Sequence, residues 1–213
     1  MVALKITEIF CSLQGESRSV GLPTVFVRLT GCPLRCLWCD SAYAFSGGHR
    51  MSLEQVLEKI RSYGIKRVCV TGGEPLVQPT VFQLFDELID SGYQVSLETS
   101  GSIDISEVNP AVSRVVDLKA PGSGEEASNL YENIYHLRSD DQVKIVIRDD
   151  RDYVWAVERI REFDLTGRCE VLFSPVSGEM PPQVLAENIL RDGLDVRFQL
   201  QLHKILWGEA RGV

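Results

Sequence analysis

The stretch "TVFVRLTGCPLRCLWCDS", residues 24–41, joins a short β-branched run to a loop that holds three of the six cysteines of the chain. Its first part, residues 24–29, is apolar enough for a buried strand. Cys32, Cys36 and Cys39 follow at spacings of four and three positions. A structural zinc site or a complete iron–sulfur cluster needs four ligands and a disulfide needs two. Three thiols therefore indicate a distant fourth ligand or a metal with one open coordination position.

The rest of the chain shows no second ligand pair. Cys69 lies in an apolar run, where a cysteine is usually a small buried hydrophobic residue, and we interpret Cys11 and Cys169 in the same way. Soft thiolates select iron–sulfur clusters or zinc. Because an open position on a metal is typical of catalysis, three ligands favour a four-iron cluster with one free iron over a structural zinc site.

Length, composition and charge restrict the classes of function. At 213 residues and 44% hydrophobic content, the chain is expected to form one globular domain over residues 1–213. Its net charge of −8 argues against binding nucleic acid or an anionic membrane. The start, "MVALKITEIF", has no signal-peptide pattern, and no apolar run approaches the roughly 18 residues of a membrane span. We expect a cytoplasmic protein with reduced thiols that acts on a small molecule.

Short β-branched runs alternate with helical patterns, which predicts an α/β fold with a parallel sheet. The predicted strands are residues 24–29, 67–71, 94–99, 114–118, 143–147 and 170–174, with 197–203 as a C-terminal edge strand. One helix is predicted from the capping box of Ser52 and Gln55 to Gly64. Others are predicted between Pro79 and Gly92, after Asp149, and within residues 124–137 and 182–190.

Polar motifs follow the carboxyl ends of these strands, where side chains and free backbone groups share one crevice. The cysteine loop follows the first strand. The later motifs are TGGEP (71–75), ETSG (98–101), DLKAP (117–121) and SPV (174–176). We expect all of them to surround one site.

On these residues the chain resembles the radical S-adenosylmethionine superfamily. Its CxxxCxφC motif, with φ aromatic, is matched by Cys32, Cys36, Trp38 and Cys39, and GGEP follows one strand later. The resemblance implies a single core domain folded as a partial (β/α)6 TIM-like barrel, and a [4Fe-4S] cluster that reduces S-adenosylmethionine to methionine and a 5′-deoxyadenosyl radical. The implied cofactor contacts are Trp38, Gly73, Glu74, Glu98, Ser100, Lys119 and Ser174.

Within that superfamily the chain is similar to the 7-carboxy-7-deazaguanine synthases. The matching pieces are LQGE (13–16), FVRLTGC (26–32), CDS (39–41) and QLHK (201–204). This resemblance implies a lyase that converts 6-carboxy-5,6,7,8-tetrahydropterin to 7-carboxy-7-deazaguanine with loss of ammonia, on the route to queuosine and related deazapurines. The implied substrate contacts are Gln14, Gly15, Glu16, Arg28, His203 and Lys204. A carboxylate such as Glu16 suits the amino-oxo ring, and a guanidinium such as Arg28 suits the carboxylate.

The resemblance also implies Mg²⁺, a flavodoxin or ferredoxin-type electron donor and a homodimer. Ser41 stands at the magnesium position, where the family commonly shows Thr, so we expect a looser metal requirement. Ser17 stands where Gly is frequent, which puts in doubt a turn with positive φ at that position.

Two alternatives stay open at this point. A glycyl-radical activase shares the cysteine loop and GGEP, but it must admit a protein loop, whereas LQGE and Arg28 suit a small anionic heterocycle. A non-enzymatic iron–sulfur or zinc protein needs a fourth ligand and gives no reason for GGEP.

Overall fold

A computed structural model describes residues 3–208 and 210–213. The described chain forms one nine-stranded sheet. Its strands are β1 (Ala3–Leu13), β2 (Pro23–Leu29), β3 (His49–Ser52), β4 (Arg67–Gly72), β5 (Gln94–Thr99), β6 (Ser113–Asp117), β7 (Gln142–Ile147), β8 (Glu170–Pro175) and β9 (Arg197–Phe198). Their order in the sheet is β3-β1-β2-β4-β5-β6-β7-β8-β9. Strand β1 is antiparallel to both of its neighbours, and all other pairs are parallel.

Six α-helices accompany the sheet in the described residues. They are α1 (Leu53–Arg61), α2 (Val81–Asp90), α3 (Asp150–Phe163), α4 (Leu165–Arg168), α5 (Pro182–Asp192) and α6 (Leu202–Trp207). The capping box that starts α1 is present. The Ser52 hydroxyl accepts from the backbone N–H of Gln55, and the Gln55 side chain accepts from the backbone N–H of Ser52. Asp149 caps α3. The predictions of α1, α2, α3 and α5 are confirmed. In residues 3–208 and 210–213 no helix is long and apolar enough to cross a membrane.

The order of the strands supports the predicted barrel. The parallel strands β2, β4, β5, β6, β7 and β8 follow one another in the sheet in the same order as in the chain. A doubly wound fold would show a reversal of that order. Large side chains such as Phe85, Leu97 and Phe173 are fully buried between the sheet and its helices. The architecture is that of a partial (β/α)6 barrel, with β1 and β3 added at one edge.

The predicted helix within residues 124–137 is wrong. This segment forms only short 3₁₀ turns, Glu126–Ser128 and Tyr131–His136. The Asn133 side chain donates to the carbonyls of Gly101 and Ile103 and accepts from the Ile105 amide. Asparagine side chains that satisfy backbone groups in this way compete with helical hydrogen bonds.

The predicted edge strand over residues 197–203 is largely wrong, since only Arg197–Phe198 pairs with β8. Beyond it the amide of Leu202 donates to the Gly15 carbonyl (2.9 Å), and α6 begins. The alternation of polar and apolar residues reflects contacts with the N-terminal segment rather than a sheet face.

Ser17 adopts the left-handed conformation, with φ of 68°. Gln199 holds it there, because its amide accepts from the Ser17 N–H (2.6 Å) and donates to the Ser17 carbonyl (2.8 Å). The turn that glycine favours is therefore formed here by a serine whose hydroxyl accepts from the Ser19 amide (3.2 Å).

This strain is testable with two variants that both lack the hydroxyl. Ser17→Gly removes the Cβ that opposes positive φ, and Ser17→Ala keeps it. We expect Ser17→Gly to be more stable than Ser17→Ala by about 1 kcal/mol in urea unfolding. Equal stabilities of the two variants would show that the turn carries no conformational strain.

Candidate active site

One cleft of about 680 Å³ opens at the carboxyl ends of the parallel strands. Loops after β2, β4, β5, β6 and β8 line it, as the sequence predicts. Fifteen of the predicted site residues surround this cleft: Gln14, Gly15, Glu16, Arg28, Cys32, Cys36, Trp38, Cys39, Ser41, Gly73, Glu98, Ser100, Lys119, His203 and Lys204. Residues far apart in the chain thus share one site.

The three cysteines of the loop after β2 are unbridged and half-buried. The Arg35 side chain donates to the Cys32 carbonyl (2.9 Å), which fixes the course of the loop. Burial raises the pKa of Cys32, Cys36 and Cys39, so the thiols must lose protons when they bind a metal. Within the described residues no three potential ligands converge as a single metal ion requires.

Gly73 packs directly against the cysteine loop. A Cβ atom at this position would lie 2.3 Å from the Gly31 carbonyl oxygen and 2.7 Å from the Cβ of Cys32. The amide of Glu74 donates to the same carbonyl (2.7 Å). The GGEP segment therefore supports the loop through its backbone, and glycine is required because the two chains approach so closely.

We expect Gly73→Ala to impair cluster loading, because its methyl group must push the cysteine loop away from β4. The measurement is iron and sulfide bound per chain after anaerobic reconstitution. Gly178→Ala is the matched control, since a Cβ there meets nothing within 4 Å although φ is positive. Full loading of Gly73→Ala would show that the loop tolerates displacement.

Glu74 does not line the cleft. Its buried carboxylate accepts from the Leu76 amide (3.0 Å), from the Thr99 hydroxyl, and from the amide (2.7 Å) and hydroxyl (2.6 Å) of Ser100. A carboxylate offers about four acceptor sites, so these donors occupy it. In the structure Glu74 holds the loop after β5 in position, and Gly72 and Gly73 form the surface of the cleft. The direct contact of Glu74 with a cofactor ammonium stays a prediction.

Ser174 does not line the cleft either, and its predicted cofactor contact stays a prediction. Its hydroxyl is buried and donates to the carbonyl of Gln199 (2.8 Å). Val146, the register partner of Ser174 on β7, lines the cleft, and so do Val176 and Ser177 beyond the end of β8.

A chain of alternating charges crosses the floor of the cleft. Lys144 Nζ lies 2.7 Å from Glu16 Oε2 and 3.2 Å from Asp117 Oδ2, and Asp117 Oδ2 lies 3.1 Å from Lys119 Nζ. Parallel pairing of β6 with β7 sets Asp117 opposite Lys144. Burial alone would lower the pKa of Lys144, but Glu16 and Asp117 raise it well above its ordinary value. Lys144 therefore stays charged.

The residues of LQGE meet the end of β5. Gln14 Nε2 donates to Glu98 Oε1 (3.1 Å), and the Thr71 hydroxyl donates to the other carboxylate oxygen (3.2 Å). Gln201 Nε2 donates to Glu16 Oε1 (2.6 Å). Burial, reinforced by the charge of Glu16, raises the pKa of Glu98. This side of the cleft offers carboxylates and amides to a ring that carries N–H donors.

Arg28, which lines the cleft, forms an ion pair with Glu8. Its Nε donates to Glu8 Oε1 (2.7 Å), which accepts from the Tyr43 hydroxyl as well (2.8 Å). Nη1 lies 3.4 Å from Ser41 Oγ. The guanidinium also lies beside the rings of Phe10 and Tyr43. Arg28 is thus held rigidly next to Ser41, the second residue after the last cysteine.

Helix α6 forms part of the rim. Lys204 Nζ lies 3.7 Å and His203 Nε2 3.9 Å from Asp40 Oδ2 in the cysteine loop. A Cβ on Gly15 would lie 2.4 Å from His203 Nδ1. The helix therefore bridges the LQGE segment and the cysteine loop, and this contact explains why residue 15 is glycine.

Comparison with known proteins agrees with this geometry. The family model described as "Radical SAM superfamily" matches residues 26–117. The "7-carboxy-7-deazaguanine synthase" of Chlorobaculum tepidum is 42% identical over 99% of this chain and 97% of its own length. That of Koribacter versatilis is 43% identical over 99% of this chain and all of its own. The crystal structure of QueE from Escherichia coli has the same fold, with a TM-score of 0.79 at 23% identity over 95% of this chain and 96% of that one.

Neither open alternative accounts for relatives of this similarity over the whole chain. A glycyl-radical activase shares the cysteine loop, and an electron-transfer protein shares at most the cluster, whereas the matches extend from LQGE to the C-terminal residues. The chain belongs to the 7-carboxy-7-deazaguanine synthase family of radical S-adenosylmethionine enzymes.

Proposed function

We propose that this chain converts 6-carboxy-5,6,7,8-tetrahydropterin to 7-carboxy-7-deazaguanine with loss of ammonia. The observation that carries the proposal is one cleft that the three-thiol loop lines together with Gln14, Glu16 and Arg28. Because the cofactor and the substrate share this space, a radical formed at the cofactor needs no long transfer to reach the substrate.

Cys32, Cys36 and Cys39 fit a [4Fe-4S] cluster, since they are three free thiols at one edge of the cleft. When bound, the cluster supplies one electron that cleaves S-adenosylmethionine to methionine and a 5′-deoxyadenosyl radical. Trp38 lies between two of the ligands and limits access of water to them. Ser100 and the backbone of Gly73 are the proposed contacts for the methionine portion.

The part of the cleft that Gln14, Glu16 and Arg28 line is the proposed pterin site. Lys144 and Gln201 each hold one oxygen of Glu16, which fixes this carboxylate before a ligand arrives. Gln14 and Glu98 supply further polar groups for the edge of the ring. Arg28 is aligned for the carboxylate of the pterin, because Glu8 fixes its Nε and directs the rest of the fork towards Ser41.

Mg²⁺ is proposed at Ser41 with help from Asp40. These two side chains offer hard oxygens, and the Ser41 hydroxyl donates to Asp40 Oδ1 (2.9 Å). Arg28 Nη1 is 3.4 Å from the same hydroxyl and repels a cation there. A substrate carboxylate would offset that repulsion, so we propose that Mg²⁺ binds together with the substrate.

The proposed partners are a flavodoxin or ferredoxin-type electron donor and a second copy of this chain, in the cytoplasm. Apolar side chains of α6 support the homodimer, because Ile205, Leu206 and Trp207 are partly or largely exposed.

The proposal is tested by anaerobic turnover. Reconstituted protein receives S-adenosylmethionine, Mg²⁺, dithionite and 6-carboxytetrahydropterin, and mass spectrometry monitors the deazapurine. We expect product from the wild type and a strong loss from Arg28→Ala. Accumulation of 5′-deoxyadenosine without a deazapurine would contradict the proposed substrate and favour activation of a protein radical instead.

A further inference from the structure

The C-terminal residues 210–213 return to the cleft and place a second guanidinium beside Tyr43. The Cζ atom of Arg211 lies 4.2 Å from the centroid of the Tyr43 ring, and that of Arg28 lies 5.8 Å from the same centroid. Both arginines line the cleft, close to Ser41. One aromatic ring therefore orients two cations at the same end of the site.

The carboxylates at this end already have partners. Glu8 Oε1 accepts from Arg28 Nε (2.7 Å) and from the Tyr43 hydroxyl (2.8 Å), and Asp40 Oδ2 lies 3.7 Å from Lys204 Nζ. Among the residues that the structure describes, Arg211 has no carboxylate within 4.0 Å. Arg211 is therefore available to a ligand whose anionic group enters beside Tyr43.

We propose that Arg211 is a second binding group for the carboxylate of the substrate, and that Arg28 and Arg211 together select carboxylated pterins over neutral ones. The inference rests on the proposed function. A carboxylate has two oxygens with about four acceptor sites, so it can accept from both guanidinium groups at once. The ring of the substrate lies on the other side, against Gln14, Glu16 and Glu98.

Arg211 lies where it can reach such a ligand. Gly208 ends α6 with φ of 60° and ψ of −124°, and residues 210–213 line the cleft. A Cβ on Gly212 would lie 3.8 Å from Glu8 Oε2, so the segment reaches the pocket of Arg28. Arg211 itself is exposed and can approach a carboxylate that enters beside Tyr43.

The test compares two ligands on the reconstituted protein with S-adenosylmethionine bound and no reductant. Anaerobic calorimetry measures the Kd of 6-carboxytetrahydropterin and of 6-hydroxymethyltetrahydropterin, which has the same ring without the carboxylate. We expect Arg211→Ala to weaken binding of the acid about tenfold and that of the alcohol less than about twofold. Arg211→Lys should restore part of the loss. Arg61→Ala, an exposed arginine of α1, is the control and should change neither Kd.

Three results overturn the inference. Equal weakening of both ligands by Arg211→Ala would mean that Arg211 only anchors the C-terminal residues on Tyr43. An unchanged Kd for the acid would mean that Arg211 does not contact it, and the proposed function would stand if the wild type still forms the deazapurine. Failure of the wild type to bind or convert the acid would remove the proposed function, and the inference with it.

Discussion

Cys36→Ala is expected to lose the cluster and to lower activity at least about a hundredfold. Loss of an outer-shell partner alone lowers metal affinity or activity about 10- to 100-fold, and Cys36 is a proposed ligand itself. Cys36 is one of three thiols in the loop after β2, and this loop holds no fourth thiol. Removing it leaves two ligands for a cluster that needs three. Bound iron, sulfide and visible absorption after anaerobic reconstitution measure the loss.

The matched control is Cys11→Ala, since Cys11 lies on β1 outside the lining of the cleft. It should load iron and cleave S-adenosylmethionine as the wild type does. A Cys36→Ala protein with normal iron content and cofactor cleavage would contradict the assignment of the loop. Loss of the cluster in Cys11→Ala would indicate a fourth ligand.

Lys144→Ala is expected to lower the free energy of unfolding by about 3–5 kcal/mol, because it leaves the carboxylates of Glu16 and Asp117 without their shared cation. Each of the three side chains is largely buried. For a chain of this size, such a loss lowers Tm by about 10 °C. Urea unfolding and calorimetry measure the change.

A second substitution separates charge from packing. Lys144→Ala combined with Glu16→Gln removes one stranded carboxylate and should recover part of the stability. Arg197→Ala breaks an ion pair with Glu170 at the surface and should cost less than about 1 kcal/mol. A loss from Lys144→Ala no larger than that of Arg197→Ala would show that the charge network contributes little.

Local pattern predicted the parallel strands and the helices whose apolar residues follow one period. It missed β1, because Glu8 interrupts the alternation of polar and apolar residues along that strand. Glu8 pairs with Arg28 on the neighbouring strand β2. It also assigned residues 197–203 to a strand on the basis of their alternating polar and apolar residues. Two of the polar residues, Gln199 and Gln201, instead bind Ser17 and Glu16. These contacts join distant parts of the chain, so no local period reveals them.

The position of Cys32, Cys36 and Cys39 together at the cleft was predictable because their close spacing places them in one short loop after a strand. Lys144 was missed, although a lysine inside the apolar run QVKIVI is as unusual as Arg28 inside FVRL, and a charged side chain in such a run indicates a functional partner. Tyr43 and Arg211 left no such signal, since an aromatic residue in a loop and an arginine near the end of a chain are ordinary. For Glu74 and Ser174 the motifs gave the position at the end of a strand, but they could not show that Ser100 and the Gln199 carbonyl engage these side chains.

Transfer of deuterium tests most directly whether the cofactor and the pterin share the cleft. Turnover with 6-carboxytetrahydropterin deuterated at C6 should place deuterium in S-adenosylmethionine or 5′-deoxyadenosine, because the 5′-carbon must lie against C6 to remove its hydrogen. It should also form the deazapurine. Deuterium that remains wholly in the pterin while 5′-deoxyadenosine accumulates would contradict the shared site.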